Sequence, residues 1–501
     1  MNISKTIAVA IIISLILAIN AFTLMRFPPP NGDEAWMASR ALEVIQSGKS
    51  FGSLDSGVLD QYEGYENFNP WLSSAIQSLG IRIFGTPSLM AIRFVSLMVG
   101  FALLASVFWI GTILDGWNLG LLGVVLTAFS WSFLLSAHLG RPDIISVAFG
   151  YSAIALYLYN RSANILVGIL TGLIAALAFE VHPNGVIYPL TISVLFFYRY
   201  KWSLFRKLDF WGFIAGGAIG IIFYLSLHVL PNPTTFLRLN QIVFSFTHIP
   251  PLFTGDLQVL IQALKDMVLT LLYTYPIILL GIWALYRFRK IRPPYLPILL
   301  VINAVIILSF TLLIRNKFLF YYSIHLSPAL CLLVAAFFND LLKSPTQNRF
   351  IAGFRILIVA FVCFIPLFQV LGINSLPDYQ QVQSQVNQVI KPHTSIIGNQ
   401  LYWFGLGDHT YYSWENLVFY KRDKPNSSLE DAFRFLAPDY FIWDNQVNNF
   451  TFDTEKKNTY FQGFRISRIE LEAFLNNYAE IEATIEEGDL KLEIYRIYLE
   501  D

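Results

Sequence analysis

The stretch SLMAIRFVSLMVGFALLASVFWIGT, from Ser88 to Thr112, is an apolar run longer than the roughly 20 residues that a helix needs to cross a lipid bilayer. Further runs along the chain approach or reach that length. We therefore predict an α-helical polytopic membrane protein with about 11 transmembrane helices. The other predicted spans are 7–25, 118–136, 143–160, 164–180, 184–199, 209–230, 259–286, 294–314, 319–338 and 351–373.

The composition also indicates a membrane protein. The 501 residues are 55% hydrophobic and 14% charged, with a mean hydropathy of +0.53. Soluble domains carry about 25% charged residues, so a soluble chain this apolar could not cover its surface with polar groups. The 34 basic and 34 acidic residues cancel, which indicates no nucleic-acid partner. The two cysteines, Cys331 and Cys363, lie in apolar runs and form neither a disulfide framework nor a zinc motif.

The distribution of cations predicts the orientation of the chain. The run from Ile7 to Met25 exceeds the apolar core of a signal peptide and favours an uncleaved first span. With a cytoplasmic N-terminus, alternate turns collect the clusters of Lys and Arg, as the positive-inside rule requires. An odd number of spans then places the tail outside. We predict a multi-pass protein of the cell membrane with an extracytoplasmic C-terminal domain.

Two outer segments are too long to be simple turns. One is the first outer loop, 26–71, within a transmembrane domain that we place at 1–373. The other is the tail, 374–501, where hydropathy falls and charge rises, and here we predict a small soluble α/β domain. Its predicted strands are Ser395–Gly398, Pro438–Trp443 and Lys491–Ile497, and its predicted helices are Asp378–Ile390 and Glu470–Tyr478.

The first outer loop opens with two adjacent carboxylates, Asp33 and Glu34. A helix from Asp33 to Ser47, capped by Asn31 or Gly32, would use both carboxylates to complement its dipole. The alternative interpretation makes one of them catalytic. Adjacent residues on a helix point about 100° apart, so we do not expect Asp33 and Glu34 to share one role.

Further polar residues lie at span ends on the same predicted side, where charge near the membrane indicates function. Each also has a structural interpretation. Arg141 could extend to the interface, a histidine between apolar walls is usually structural, and cations beside tyrosines anchor spans. Histidines are too sparse for a metal site. The segments are His138–Asp143, Phe179–Gly185 with Glu180 and His182, and Arg315–His325.

These motifs resemble those of the membrane glycosyltransferases of the GT-C fold, close to glycosyltransferase family 39. That family includes the protein O-mannosyltransferases and the aminoarabinose transferase that modifies lipid A. The resemblance covers most of the chain and lies in the order and spacing of its parts. Those parts are Asp33-Glu34 in the long first outer loop, Arg141-Pro-Asp143 in the second outer turn, and Lys317 followed by Tyr321-Tyr-Ser-Ile-His-Leu-Ser-Pro328.

The resemblance implies a polyprenyl-phosphate-linked sugar as donor and transfer at the extracytoplasmic face, with inversion at the anomeric carbon. The acceptor is a protein, a lipid or a glycan, and membrane lipids are the other partners. No cofactor and no metal are implied, although some relatives use a divalent cation. The implied roles are Asp33 as general base, Glu34 as its partner, Arg141 and Asp143 as the second-loop motif, Lys317 and Tyr321 near the lipid phosphate, and His182 as a less clear match.

Other functions are compatible with the same pattern. A transporter or flippase for a lipid or small solute would have as many spans, but transporters usually place ionisable groups near the bilayer midplane. A membrane scaffold that displays the tail leaves the outer charges unexplained. A lipid-linked oligosaccharide polymerase or ligase is an alternative within the enzymes.

Overall fold

The computed structural model describes residues 14–56, 71–237, 255–274, 293–313, 319–343, 378–444 and 466–499. Up to residue 343 the described chain is helical, and a small sheet domain follows. The predicted helical membrane fold with a C-terminal α/β domain is therefore confirmed in outline. The predicted span 351–373, Cys363 and Lys317 lie outside the described residues.

From Leu89 to Tyr224 the helices follow one another with short connections. A π-helical turn, Leu225–Val229, continues the helix Leu208–Tyr224. The bounds are α1 Ser14–Thr23, α2 Gly32–Gln46, α3 Trp71–Phe84, α4 Leu89–Asp115, α5 Trp117–Ala128, α6 Trp131–Ala137, α7 Asp143–Tyr159, α8 Ile165–Val181, α9 Ile187–Tyr200, α10 Leu208–Tyr224, α11 Leu257–Thr274, α12 Leu296–Leu313 and α13 Ser327–Lys343.

Three of the described helices are long and apolar enough to cross a membrane: α4, α10 with its π-helical turn, and α12. The predicted span 118–136 is instead two helices, α5 and α6, bent by 67°. Ser130 causes the break, because its side chain accepts the backbone N–H of Phe133 and starts a new helix. Averaged hydropathy does not detect such a cap.

The predicted number of about 11 spans is not confirmed. The helices α7 and α8 coincide with predicted spans, but each has 17 residues, which is short for a crossing. Part of the predicted span 259–286 lies outside the described chain, as does all of 351–373.

Close contact between α8 and α10 depends on glycines spaced four apart on both helices. A Cβ atom on Gly172 would lie 2.0 Å from the carbonyl oxygen of Phe213, and one on Gly216 would lie 2.0 Å from that of Ile169. Small residues at this spacing let helix backbones approach in membrane proteins. Gly217, next to Gly216, faces open space.

We predict that Gly172→Leu lowers the thermal stability of the detergent-purified protein, because the new side chain forces the two backbones apart. Overpacking of this kind costs about 1–3 kcal/mol. Gly217→Leu is the matched control, since nothing lies within 4 Å of its added Cβ. Equal melting temperatures for the two variants would contradict the close packing of α8 on α10.

In the described part of the C-terminal domain, five strands form a mixed sheet with the order β2-β1-β3-β5-β4. Strands β1, β2 and β3 are parallel, whereas β5 runs antiparallel to both β3 and β4. The three predicted strands and two predicted helices are present, and β2, β4, α15 and α16 were not predicted. The bounds are α14 Tyr379–Val389, β1 Ser395–Gly398, β2 Thr410–Ser413, α15 Glu415–Asp423, α16 Leu429–Leu436, β3 Tyr440–Asp444, α17 Arg468–Tyr478, β4 Ala479–Glu487 and β5 Leu490–Ile497.

The C-terminal domain rests on the first outer loop. Alanines of α2, including Ala35 and Ala38, are fully buried in one cluster with Tyr402, Trp403 and Phe404. The indole N–H of Trp403 also donates to the hydroxyl of Ser53, at 3.1 Å. This domain therefore covers one face of the helix that begins next to Asp33.

Candidate active site

The start of α2 fixes the position of the two adjacent carboxylates. Asn31 caps the helix, because its side-chain oxygen accepts the backbone N–H of Asp33 at 3.0 Å. In return, Glu34 accepts the backbone N–H of Asn31 at 3.0 Å, which completes a capping box. The predicted helix and cap are confirmed, and the helix ends before Gly48, which adopts a positive φ of 79°.

Glu34 points inward and forms a fully buried ion pair with Arg93 of α4. Its two oxygens accept from Nε and Nη2 of Arg93 at 2.9 and 2.8 Å. The backbone N–H of Gly140 donates to the same carboxylate at 2.9 Å, and Arg93 also donates to the carbonyl of Leu24. With both oxygens occupied and no exposed surface, Glu34 has the geometry of a positioning residue.

Asp33 points the other way and keeps 44% of its side chain exposed. It forms an ion pair with Nη1 of Arg141, a residue whose side chain is only 12% exposed. The Nε atom of Arg141 donates to Asp143 at 3.0 Å. One guanidinium thus joins two carboxylates from different elements, and one of these carboxylates remains open to solvent.

Tyr321 completes this group of side chains. The guanidinium of Arg141 lies 4.7 Å from the centre of its ring, a cation–π arrangement. The phenol oxygen of Tyr321 accepts from the side-chain amide of Asn31 at 3.0 Å. Through Tyr321, the polar segment Arg315–His325 therefore meets the segments that carry Asp33 and Arg141.

A buried polar layer lies behind Arg141. Asp143 is almost fully buried and close enough to His182 and His325 to interact with them electrostatically. His325 is held by a hydrogen bond to the hydroxyl of Tyr188, at 2.9 Å. The ring of His182 packs 5.6 Å from that of Tyr322, and its Nδ1 accepts the backbone N–H of Asn184.

Two other histidines belong to the packing of the helices. Both ring nitrogens of His138 have partners, the carbonyl of Phe27 at 3.0 Å and the side chain of Asn20 at 2.9 Å. Glu180 pairs with His228 at 2.8 Å inside the protein. Glu180 and His138 therefore have structural partners of their own.

The residues around Asp33 do not fit a metal ion. Within the described ranges, no group of three His, Cys, Asp or Glu side chains is arranged to hold one. The space between Asp33 and Asp143 is taken by the guanidinium of Arg141. The positive charge of the site is thus supplied by a side chain.

The structure adds residues that the sequence analysis did not single out. Arg93 is the most consequential, and a sequence signal for it existed, since it is a lone charge within a long apolar run. Tyr322 and His325 lie in a quoted motif but had no assigned role. Of the predicted site residues, Asp33, Glu34, Arg141, Asp143, His182 and Tyr321 come together here.

We predict that Glu34→Ala strongly destabilises the protein while Asp33→Ala does not. Removing Glu34 leaves the buried guanidinium of Arg93 without its ion-pair partner, which typically costs about 3–5 kcal/mol. Asp33 is half exposed, so its loss leaves Arg141 with Asp143 and with access to water. Thermal unfolding in detergent compares the two; a similar loss in both variants would refute the distinction.

Comparisons with known proteins show the fold. No family model matches the chain, and no curated relative matches its sequence. The crystal structure of apo ArnT from Cupriavidus metallidurans is similar over 98% of both chains, at 15% identity and a TM-score of 0.63. The same enzyme bound to undecaprenyl phosphate is similar at 13% identity, again over 98% of both chains, with a TM-score of 0.63.

A second kind of protein is also similar. The archaeal oligosaccharyltransferase AglB from Archaeoglobus fulgidus, solved with an inhibitory peptide and a dolichol-phosphate, matches at 11% identity and a TM-score of 0.51. That match covers 87% of this chain and 70% of AglB. ArnT, the lipid A aminoarabinose transferase, and AglB both have the GT-C fold. The chain therefore has the GT-C fold of these membrane glycosyltransferases, as the resemblance of its sequence predicted.

Proposed function

We propose that this protein is an inverting glycosyltransferase that moves a sugar from a polyprenyl-phosphate donor to an acceptor at the extracytoplasmic face of the membrane. The observation that carries the proposal is Asp33, a half-exposed carboxylate beside the cation of Arg141 at a rigidly held helix start. The GT-C fold supports this type of reaction, and solved neighbours hold undecaprenyl phosphate or dolichol-phosphate.

Asp33 acts as the general base. The acceptor oxygen forms a bond to the anomeric carbon while the bond from that carbon to the phosphate oxygen breaks. The hydroxyl proton passes to the Asp33 carboxylate, and positioned bases of this kind contribute about 10²–10⁴ in rate. A single displacement inverts the anomeric carbon.

Arg141 links proton transfer to Asp33 with departure of the lipid phosphate. While Asp33 is ionised, the guanidinium is shared between two carboxylates. When Asp33 takes the proton, it no longer neutralises Arg141, and the positive charge becomes available as the departing phosphate gains negative charge. A fixed cation placed where charge develops usually provides the larger part of catalysis.

The remaining predicted residues either bind the lipid phosphate or hold the catalytic side chains in place. Tyr321 and Lys317 lie near the lipid phosphate in this proposal, and Asp143 keeps Arg141 oriented with the support of His182. Glu34 is a positioning residue that fixes the helix start through Arg93. The prenyl chain lies between helices or against lipid, which explains why the catalyst is a membrane protein.

The topology follows from the same proposal. The N-terminus is cytoplasmic, the domain at 1–373 spans the cell membrane, and the domain at 374–501 is extracytoplasmic. The acceptor, which is a protein, a lipid or a glycan, binds at the same extracytoplasmic face. Transfer at that face needs no nucleotide, because the lipid phosphate is the leaving group.

We predict that Asp33→Asn lowers the rate of transfer from labelled polyprenyl-phosphate sugars by at least about 100-fold, because an amide cannot accept the hydroxyl proton. The measurement follows release of free polyprenyl phosphate and movement of label to acceptors in membranes that contain the protein. Glu472→Gln, which changes an exposed ion pair of the C-terminal domain, is the control and keeps full activity.

Two results would argue against the proposal. Unaltered transfer by Asp33→Asn at normal protein levels would keep the enzyme but remove Asp33 from its centre. No transfer by the wild type with any donor would favour a transporter or flippase, and uptake or flipping of labelled lipid in vesicles would then identify it.

A further inference from the structure

A buried carboxylate of the C-terminal domain is linked through one side chain to the start of α2, and it has no role in the proposed reaction. Glu415 is the first residue of α15 and is about nine-tenths buried. Its Oε2 accepts from the hydroxyl of Ser413 at 2.7 Å and from the side-chain amide of Gln400. An acidic residue in the first turn stabilises a helix by complementing its dipole. Glu415 has a second contact, because its partner Gln400 lies against the start of α2.

Gln400 connects Glu415 to the start of α2. A Cβ atom on Gly32 would lie 2.8 Å from Oε1 of Gln400, so this amide rests directly on the residue that precedes Asp33. Gln400 is itself buried, and the cap residue Asn399 lies beside it. A continuous path therefore runs from Glu415 through Gln400 to the backbone of Gly32.

The electrostatic effect agrees with this geometry. Burial and the negative charge of Asp33 raise the pKa of Glu415 to about 7, against the lowering effect of the hydrogen bonds from Ser413 and Gln400. The charged group that acts on Glu415 is the carboxylate of Asp33 on α2, which is itself paired with Arg141. Elsewhere on α15, Lys421 pairs with Glu470 of α17.

We propose that Gln400 and Glu415 are positioning residues of the site, through which the C-terminal domain holds Asp33 in place. This inference rests on the proposed function for its catalytic meaning, but the contact itself is testable without any substrate. The C-terminal domain is then a part of the active site, and the ionisation of Glu415 changes the electrostatic environment of Asp33.

The direction of the pH effect follows from linkage. A carboxyl whose pKa is higher in the folded protein binds its proton more tightly when folded. Its stabilising contribution is complete below the pKa of the unfolded chain and is lost as the pH rises through about 7. Above pH 7 the ionised Glu415 and Asp33 repel each other.

The test is a double-mutant cycle of Glu415→Gln and Asp33→Asn, read as melting temperature in detergent at pH 5 and at pH 8. Glutamine keeps an oxygen for Ser413 and Gln400, so the fold is retained. At pH 8 either substitution relieves the same repulsion, so the two are non-additive, with Glu415→Gln melting on the order of 2 °C above wild type. At pH 5 they are additive.

The matched control is Glu430→Gln, an exposed glutamate of the same domain paired with Arg434. It changes the melting temperature little and independently of pH. Additivity of Glu415→Gln and Asp33→Asn at both pH values would overturn the proposal. So would an equal response of Glu430→Gln and Glu415→Gln.

An activity measurement separates this proposal from the proposed function. The pH dependence of kcat/KM for a labelled polyprenyl-phosphate sugar shows an inflection near pH 7 in the wild type that disappears in Glu415→Gln and persists in Glu430→Gln. Coupling in the cycle without transfer supports the positioning pair and rejects the enzyme. Transfer with an unchanged pH profile in Glu415→Gln rejects the pair and keeps the enzyme.

Discussion

The buried ion pair between Glu34 and Arg93 is the constraint on which the rest of the site depends. It joins the first outer-loop helix to α4, and the same two side chains bind the carbonyl of Leu24 and the amide of Gly140. Neither charge can be left alone in a dry interior, because an unpaired buried ion costs several kcal/mol. Four separate parts of the chain must therefore meet at one point.

This constraint separates the roles of two adjacent carboxylates. Residues that follow each other on a helix diverge by about 100°, so the inward direction of Glu34 turns Asp33 outward. Asp33 then remains half exposed and meets Arg141 and the ring of Tyr321 at the rim. One carboxylate is therefore a buried support, and the other remains open to solvent beside a cation.

The sequence predicted the local features well because their causes are local. Capping at Asn31, the stop before Gly48 and three strands of the tail all depend on residues close in the chain. It also placed the polar segments on one side of the membrane, and Asp33, Arg141 and Tyr321 from three of them lie together. It did not predict the partner of Glu34, because Arg93 lies 59 positions away and pairing at that distance is set by helix packing. The bend between α5 and α6 was missed because one serine outweighs an apolar average.

The C-terminal domain also holds α2 in place, through apolar contacts. Tyr402, Trp403 and Phe404 bury the alanines of α2, so a shift of the domain would expose apolar surface along the helix that carries Asp33. Exposure of that surface is unfavourable, which stabilises the docked arrangement of the domain on the helix. In the reaction proposed above, this domain would border the approach of an acceptor hydroxyl to Asp33, because Gln400 lies against Gly32. Apolar burial thus holds the domain on α2, whereas the ion pair of Glu34 and Arg93 holds the same helix on α4.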